Sequence, residues 1–326
     1  MDSTEVGPRG AEPLTGELLT GHLERERRGL LAHCYRMLGS WDEAEDAVQE
    51  TSLRAWRGVE TFQHRSSVRV WLYRIATNTC LTALDGRGRR ALPSGLGPPG
   101  DDPAAAPDVS GAANWIQPIP TASVFDDPAT VVAGRESVRL AFVAGLQYLP
   151  ARQRAVLLLR EVLAFSAAEV AAMLDTTVPA VKSTLQRARA TLGDVAPGRD
   201  ELAEPSSARD RELLERYMAA WQDADVDAFE RVLRADAAIE PVGSRTWFAG
   251  RSTCLRFAAP SMIGPGVWRM IAADANGQPA TACWFRGEPF GIAVLTTAAD
   301  GIARVTLFGD PGLVARFSEA GRLEQV

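Results

Sequence analysis

The chain contains 326 residues, of which 46% are hydrophobic and 23% are charged, and its formal net charge is −6 at pH 7. This length allows two or three domains with ordinary hydrophobic cores, and the composition is typical of a globular protein. No apolar run approaches the roughly 18 residues of a membrane span, so we expect no membrane partner. Residues 1–17 lack a basic start followed by an apolar stretch, which predicts a disordered lead-in rather than a secretory signal.

The four cysteines, Cys34, Cys80, Cys254 and Cys283, are never at C-x-x-C spacing. The sequence therefore predicts no metal site, no disulfide framework and no cofactor, but buried thiols in a reducing cytoplasm. Lys182 is the single lysine among 35 lysine and arginine residues. The basic surfaces are therefore guanidinium surfaces, which suit phosphates and base edges.

A first helical block is expected over residues 18–90, and its charge is divided between two segments. Ser40 and Glu43 have the spacing of a capping box, which predicts a helix that runs to about Gly58. The charged residues of this helix are mostly acidic, and several share one face because they lie three or four residues apart. Residues 62–90 are instead rich in arginine. Two faces of opposite charge suggest two partners, although ordinary solvated surfaces give the same pattern.

Residues 91–130 are rich in proline and glycine, which predicts a flexible linker without regular elements. A second helical block is expected over 131–193. In it, Ser166 and Glu169 form a capping box for one helix, and a short polar turn precedes another helix from Val178. This helix-turn-helix pattern favours a second helix that reads the DNA major groove with its basic side. A small helical bundle with a basic outer face is the alternative.

The two helical blocks together resemble the bacterial sigma-70 family of transcription initiation factors, and within it the small extracytoplasmic-function group. The resemblance rests on DEAEDAVQETSLRAW, VWLYRIATNTCLTALDGRGRR and LPARQRAVLLLREVLAFSAAEVAAMLDTTVPAVKSTLQRARATL. These segments occur in the order of the family, with a linker between the second and the third.

The resemblance implies a protein that is not an enzyme but gives promoter specificity to RNA polymerase, through three binding surfaces. The surface for the clamp of the largest polymerase subunit would consist of Asp42, Glu45, Asp46, Gln49 and Glu50. The surface for the minus-ten element of promoter DNA would consist of Arg74, Asn78, Arg87, Arg89 and Arg90, with Asn78 at an extruded base. The surface for the minus-35 element would consist of Lys182, Ser183, Gln186, Arg187 and Arg189.

A third block is expected over residues 208–326, after a short linker at 194–207. Its first part has the apolar spacing of two helices. Its second part has the pattern of strands joined at Asn276-Gly277 and Asp300-Gly301, dipeptides that favour type I′ hairpins. Helices followed by an antiparallel meander resemble the SnoaL-like, NTF2-like α+β cone. The predicted fold class is therefore multidomain, with two all-α domains followed by an α+β domain.

The resemblance to that cone implies an apolar pocket, and we expect a small apolar molecule or a protein as its partner. Some members of the fold family are enzymes, and such chemistry needs an acid or base in the pocket. The three histidines of the chain lie outside this block, which leaves Asp236 and Glu240 as the nearest candidates. We expect both at strand ends or in loops rather than in catalysis.

The combination of blocks resembles a subgroup of extracytoplasmic-function sigma factors that carry a fused SnoaL-like domain. Two motifs fit that subgroup, WIQPIP at 115–120 in the linker and NGQPA at 276–280 in the first hairpin. From them we expect interdomain contacts through which the C-terminal domain regulates the sigma domains in cis. These contacts would involve Trp115, Asn276, Gly277 and Pro279.

Two other functions stay open from the sequence alone: a ligand-sensing helix-turn-helix regulator, and an NTF2-like enzyme with helical attachments. A polymerase-docking helix next to a promoter-melting segment favours the sigma factor, because a simple repressor has no use for either. The missing histidines argue against the enzyme.

Overall fold

A computed structural model describes residues 14–62, 66–109, 113–125, 134–195 and 207–320. The predicted fold class is confirmed, since two helical domains are followed by an α+β domain. The first helical domain consists of α1 (Gly16–Leu38), α2 (Trp41–Gly58) and α3 (Val68–Leu84). Each of these helices begins after a Thr or Ser whose hydroxyl accepts a bond from the first turn, at Thr15, Ser40 and Ser67. Because α1 begins at Gly16, it overlaps the end of the predicted lead-in.

The linker prediction was wrong in one respect, because the segment after residue 90 contains regular elements. A short strand β1 (Arg90–Ala91) pairs in parallel with β2 (Asn114–Trp115), and a helical turn α4 (Thr121–Val124) follows. Ile116 and Ile119 are fully buried. Proline disfavours regular structure locally, but here tertiary burial of the apolar linker residues orders the chain.

The second helical domain consists of α5 (Leu140–Leu146), α6 (Ala151–Leu157), α7 (Ala167–Met173) and α8 (Val178–Val195). A 3₁₀ turn precedes α5, and a π-helical turn at Leu158–Val162 extends α6. Both hydrogen bonds of the predicted Ser166–Glu169 capping box are present at the start of α7. Asp175, with φ of 47°, makes the turn into α8. The helix-turn-helix is therefore formed as the sequence predicts.

The C-terminal domain is a six-stranded sheet with helices packed on it. The helices are α9 (Ser207–Gln222), α10 (Val226–Val232), α11 (Arg251–Ala258) and α12 (Pro311–Ala320). The strands are β3 (Leu233–Val242), β4 (Phe248–Ala249), β5 (Trp268–Ala275), β6 (Gln278–Phe285), β7 (Glu288–Ala298) and β8 (Gly301–Phe308). Their order is β4-β3-β8-β7-β6-β5, and all neighbours are antiparallel except β3 and β8.

Both predicted hairpins are present, but they differ in turn type. Asn276 and Gly277 have φ of 57° and 66°, as a type I′ turn requires. At the second hairpin Gly301 has φ of 150° while Asp300 is not among the residues with positive φ, so that turn is not type I′. The register of β7 against β8 shifts between Thr296 and Thr297, and this irregularity accommodates the different turn.

The sheet of the C-terminal domain is apolar on both faces. Along β7, Ala293 and Leu295 face a core shared with α9, α10 and α11. Ile292 and Val294, which alternate with them, face a core shared with α12 and both helical domains. The C-terminal domain is therefore joined to the rest of the chain by a continuous hydrophobic core.

Aromatic side chains cluster between the helices and the sheet of the cone. The ring of Trp268 lies 5.4 Å from that of Trp221, 4.8 Å from Phe285 and 5.0 Å from Phe290, measured between centroids. Phe229 packs against Trp221 from the other side at 5.6 Å. The apolar pocket that the fold resemblance implies stays a prediction.

The four cysteines are buried and free, as the sequence predicts. In the part of the chain that the structure describes, no cluster of His, Cys, Asp or Glu has the arrangement of a metal site. Among the described helices, none has both the length and the apolar character needed to cross a bilayer.

Candidate functional site

The acidic face of α2 is the first candidate surface. Asp42, Glu45, Asp46 and Gln49 are exposed on one side of the helix, and Glu50 is half-buried. Beside them, a groove of about 420 Å³ runs between α1 and α2, with Glu45 and Gln49 on its wall. The Glu50 carboxylate accepts a hydrogen bond of 2.6 Å from Arg54 Nε. The other acidic side chains give this face a negative potential that suits a basic partner.

Part of this acidic face is already occupied by other segments of the chain. Gln117, from the linker motif, donates from Nε2 to Asp42 Oδ2 at 2.6 Å. Arg316 of α12 forms an ion pair with Asp42 and another with Glu45, the latter at 3.0 Å. The linker and the C-terminal helix therefore both reach the predicted polymerase surface.

The minus-ten residues lie on α3 and on the segment that follows it. Asn78 is half-buried on α3, and Arg74 is exposed there. The guanidinium of Arg74 lies 3.4 Å from Asp175 Oδ1, in the turn of the helix-turn-helix. Since Asp175 belongs to the second helical domain, the two helical domains touch at this point.

The three arginines after α3 are engaged by protein groups. Arg87 and Arg90 both pair with Glu43 Oε1, at 2.5 and 2.9 Å. Arg89 stacks on Tyr148, with its guanidinium carbon 3.9 Å from the ring centroid. The Ser40 hydroxyl accepts the predicted bond from the Glu43 amide. The second bond of the predicted capping box is not formed, because the Glu43 carboxylate binds these arginines instead.

The minus-35 residues form an open surface on α8. The five predicted side chains are all exposed, namely Lys182, Ser183, Gln186, Arg187 and Arg189. On the opposite side of the helix, Val181 and Ala188 are buried. Arg189 donates from Nε to Glu161 Oε1 at 2.6 Å, and Arg187 donates to Thr184 of its own helix at 3.2 Å. Arg187 is therefore held by its own helix alone, whereas Arg189 is held by an ion pair to a neighbouring element.

The two helical domains pack against each other through aromatic and buried polar groups. Phe165, before α7, lies 5.4 Å from the Tyr73 ring of α3, measured between centroids. Arg154 of α6 is buried and donates to the Met37 carbonyl of α1 and to Gln147 Oε1, the latter at 2.6 Å. Burial lowers the pKa of Arg154 to about 10, so its guanidinium stays charged at neutral pH.

Asn276 is the point at which three parts of the chain meet the C-terminal domain. Its side chain is fully buried. Oδ1 accepts a bond of 3.0 Å from the Ile119 amide of the linker. Nδ2 donates to the Tyr35 hydroxyl of the first helical domain and to the Val138 carbonyl that precedes α5, each at 2.7 Å. One side chain thus satisfies groups from both helical domains and the linker.

The neighbours of Asn276 extend the same junction. The Gly277 amide donates to Thr121 Oγ1 at 3.0 Å, and its carbonyl accepts from Arg135 Nε at 2.6 Å. Arg135 also pairs with Asp210 of α9 at 2.7 Å. Pro279 is buried beside the turn.

Trp115, the other predicted interdomain residue, is half-buried in β2. Its carbonyl accepts a bond of 2.6 Å from Arg90, which belongs to the neighbouring strand β1. The polar interdomain contacts of the linker motif come instead from Gln117 and Ile119.

The linker is also held along the outside of the C-terminal domain. The Gly100 amide donates to the Trp247 carbonyl at 2.7 Å, and Trp247 Nε1 donates to the Gly97 carbonyl at 2.9 Å. Further along, the Asp108 amide donates to Thr246 Oγ1 at 2.9 Å. The segment predicted to be flexible is therefore bound to the loop between β3 and β4.

Gln117 and Gln278 lie in the two motifs quoted from the sequence, although neither was named as a contact residue. Four other junction residues were missed by sequence reasoning, namely Arg36, Arg135, Arg154 and Arg316. A usable signal existed for Arg36, which lies in the run LLAHCYRML at the end of α1. Such a run is apolar around the whole helix, and this pattern is typical of a helix end that is buried on every side. Arg36 is buried there and donates from Nε to the Ser137 carbonyl at 3.0 Å.

The two acids considered for catalysis are both held in ion pairs. Asp236 is exposed, and its hydrogen bond to Arg234 at 2.8 Å holds the pKa of that carboxyl below its usual range. Glu240 is fully buried, where it pairs with Arg304 and accepts a bond of 3.3 Å from the Ser94 amide of the linker. Both acids therefore have structural partners.

Comparison with known proteins gives the family. A model of sigma-70 region 2 matches residues 22–90, and a model of sigma-70 region 4 matches residues 139–192. The ECF RNA polymerase sigma factor SigG of Mycobacterium tuberculosis is 48% identical over 309 residues, which is 91% of this chain and 83% of SigG. The chain belongs to the ECF RNA polymerase sigma factors.

Two more distant similarities were also found. The ECF RNA polymerase sigma-E factor of Haemophilus influenzae is 31% identical over 172 residues, which is 53% of this chain and 82% of that factor. The crystal structure of the M. tuberculosis extracytoplasmic function sigma factor SigJ superposes with a TM-score of 0.61 at 21% identity. It covers 94% of this chain and 100% of SigJ, so the fold is shared almost throughout. This sigma factor directs transcription initiation, and the regulator and enzyme alternatives are not favoured.

Proposed function

We propose that this sigma factor binds the clamp of the largest polymerase subunit through the acidic face of α2. In this proposal α3 and the arginines after it bind the minus-ten element, and α8 reads the minus-35 element. The C-terminal domain regulates these surfaces in cis, by holding the helical domains and the linker in the arrangement described above, which we name the closed arrangement. The protein would act in the cytoplasm, beside polymerase.

The buried Asn276 side chain is the observation that carries the regulatory part of this proposal. It joins the C-terminal domain to Tyr35, Ile119 and Val138, which belong to three different parts of the sigma module. A buried amide with all these partners is costly to separate, because each group would need a new hydrogen bond. The closed arrangement is therefore specific rather than a loose collapse.

Several arginines of the proposed minus-ten surface are engaged by other protein groups. Arg74 pairs with Asp175 of the second helical domain, whereas Arg87 and Arg90 pair with Glu43 within the first one. Phosphate contacts are made by free cationic side chains, so these arginines must exchange partners before they bind DNA. By contrast, Arg187 and Lys182 on α8 are exposed in the closed arrangement. Inhibition in cis would therefore act on polymerase binding, and on the minus-ten surface through Arg74, rather than on minus-35 reading.

The predicted small apolar ligand stays part of the proposal, and the aromatic cluster around Trp221 and Trp268 is the surface that it would contact. We infer that the C-terminal domain acts first through its contacts with the sigma module. A ligand that favoured a rearranged cone would shift the equilibrium only by its different affinity for the two arrangements.

Run-off transcription with core polymerase tests the proposal directly. Asn276→Ala in the full chain removes the junction hydrogen bonds, and we expect higher core-polymerase affinity and more transcript from the cognate promoter. Gly287→Ala is the matched control, because it changes the β6–β7 turn, where a Cβ would contact nothing within 4 Å. Amide hydrogen exchange shows whether the junction has opened in Asn276→Ala. Unchanged polymerase affinity and transcription in a variant whose junction amides exchange rapidly would contradict regulation by the closed arrangement.

A further inference from the structure

We propose that α12 is a latch that competes with polymerase for the acidic face of α2. Arg316 of α12 occupies the place that a basic side chain of polymerase takes when polymerase binds. This inference rests on the proposed function of that face. In this proposal α12 covers part of the face, Arg316 and an apolar contact hold it there, and polymerase displaces it.

The contacts of Arg316 are those expected of a cation that recognises this face. Its guanidinium pairs with Asp42 and Glu45, which are three residues apart on the same side of α2. The forked geometry of arginine allows both carboxylates to be bound at once. The same guanidinium carbon lies 3.7 Å from the ring centroid of Trp41, at the first position of α2.

An apolar contact fixes α12 in this position. Phe317 meets Trp41 edge to face, with ring centroids 5.7 Å apart. Phe317, Leu313 and Val314 are buried in the core that the sheet shares with the helical domains. The helix is therefore anchored on the sheet by its apolar side and presents Arg316 to α2.

The latch covers only part of the acidic face. Asp46 and Gln49 stay exposed, and the groove between α1 and α2 is open beside Glu45. Polymerase can therefore make its first contact with Asp46 while Arg316 is still bound. Replacement of Arg316 at Asp42 and Glu45 would complete the docking, so polymerase binding and latch release would be coupled.

The latch is suited to reversible release because its ion pairs are partly exposed. The side chain of Arg316 is 27% exposed, that of Asp42 55% and that of Glu45 45%. Ion pairs at such positions are weak and are screened by salt. They bias which partner occupies the acidic face without preventing its exchange.

The test compares Arg316→Glu with Arg231→Glu in the full chain. Arg231 is the control because its exposed ion pair with Asp225 lies within the C-terminal domain. We expect Arg316→Glu to raise core-polymerase affinity roughly three- to tenfold at low salt, with a smaller gain at high salt. Amide hydrogen exchange of residues 311–320 should also become faster. Arg231→Glu should change neither quantity.

A charge-reversed pair and one variant outside the latch separate the possible failures. Adding Glu45→Arg to Arg316→Glu should restore slow exchange in α12, which a general loss of stability would not do. Asp46→Arg reports on the docking surface without touching Arg316.

If Asp46→Arg weakens polymerase binding while Arg316→Glu leaves the affinity unchanged, the latch is wrong and the docking surface stands. If Asp46→Arg binds polymerase like the natural chain, the docking surface itself is wrong. Should Arg316→Glu fold poorly, Arg316→Gln removes the charge at similar size, and unchanged polymerase affinity with that variant would equally overturn the latch.

Discussion

The amide of Asn276 donates a hydrogen bond of 2.7 Å to the hydroxyl of Tyr35, across 241 residues of sequence. The Tyr35 hydroxyl in turn donates to the Gln117 carbonyl of the linker, also at 2.7 Å. Burial raises the pKa of Tyr35 above its usual range, so the hydroxyl keeps its proton and its role as a donor. The chain Asn276–Tyr35–Gln117 connects the C-terminal domain to the first helical domain and the linker.

Tyr35→Phe should destabilise the chain by about 1–3 kcal/mol, because the Gln117 carbonyl loses its donor and Asn276 loses one acceptor in a buried site. Urea denaturation monitored by circular dichroism measures this free energy of unfolding. Tyr148→Phe is the matched control, since the Tyr148 hydroxyl makes a longer bond of 3.4 Å to the Gly95 carbonyl. Equal stability of the two variants would argue against a special role for Tyr35.

Gly277→Ala should be more destabilising than Gly287→Ala, although both glycines follow a positive-φ residue in a hairpin. At Gly277 an added Cβ would lie 2.8 Å from Arg135 Cγ and 3.3 Å from its Cα, whereas at Gly287 it meets nothing within 4 Å. The two changes share the turn strain, so their difference in melting temperature isolates the clash between domains. Identical melting temperatures would show that Arg135 moves away at little cost.

Asp46→Arg should weaken binding to core polymerase by roughly tenfold, which is about 1.4 kcal/mol, because it places a cation on the surface proposed to receive one. Fluorescence anisotropy with labelled sigma factor measures the affinity. Glu215→Arg makes the same charge change at an exposed position of α9 and should leave the affinity unaltered. Equal losses in both variants would mean that net charge, rather than this face, determines binding.

Arg187→Ala should reduce the affinity of the polymerase complex for its minus-35 element by about 1–3 kcal/mol, if the side chain reads a base edge. Arg189→Ala should cost less, because Arg189 is held by Glu161 in the free protein. Binding to cognate duplex is compared with binding to a duplex of scrambled minus-35 sequence. The same loss on both duplexes would reassign Arg187 to phosphate contact.

His33 should make the stability depend on pH. Burial, helped by the charge of Arg36, lowers the pKa of His33 to about 3, while the unfolded chain binds the same proton near pH 6.5. Below about pH 6.5 the unfolded state therefore binds more protons than the folded state. The free energy of unfolding then decreases as the pH is lowered, by up to about 1.4 kcal/mol per pH unit. His33→Gln should reduce the loss between about pH 6.5 and pH 5 by about 1.5 kcal/mol in urea denaturation. An unchanged pH dependence in His33→Gln would contradict this origin of the slope.

The features that sequence predicted well are those determined by neighbouring residues. Ser166 and Glu169 make their capping box because both partners lie within one helical turn. Asn276 and Gly277 form a type I′ turn because both residues tolerate positive φ. The exposed faces of α2 and α8 follow from helical spacing alone. Their roles at polymerase and promoter came from the family resemblance, and they stay predictions.

The features that sequence missed depend on residues far apart in the chain. Composition predicted a flexible linker over residues 91–130, but in its described part Ile116 and Ile119 are buried in the core and fix the chain around them. Nothing near Arg316 in sequence shows that it pairs with Asp42, since the relation exists only in the folded chain. For β7, the run GIAVL was informative, because a strand without alternation is typical of a sheet covered on both faces.

The two-sided sheet limits how the factor can be activated. Complete separation of the C-terminal domain would bring Trp41 and Phe317, which meet edge to face in the shared core, into contact with water. Apolar surface exposed in this way would favour aggregation or rapid reclosure. Activation must therefore either shift the domain while this apolar interface stays buried, or provide another apolar surface that covers it. The polymerase itself is the natural source of such a surface.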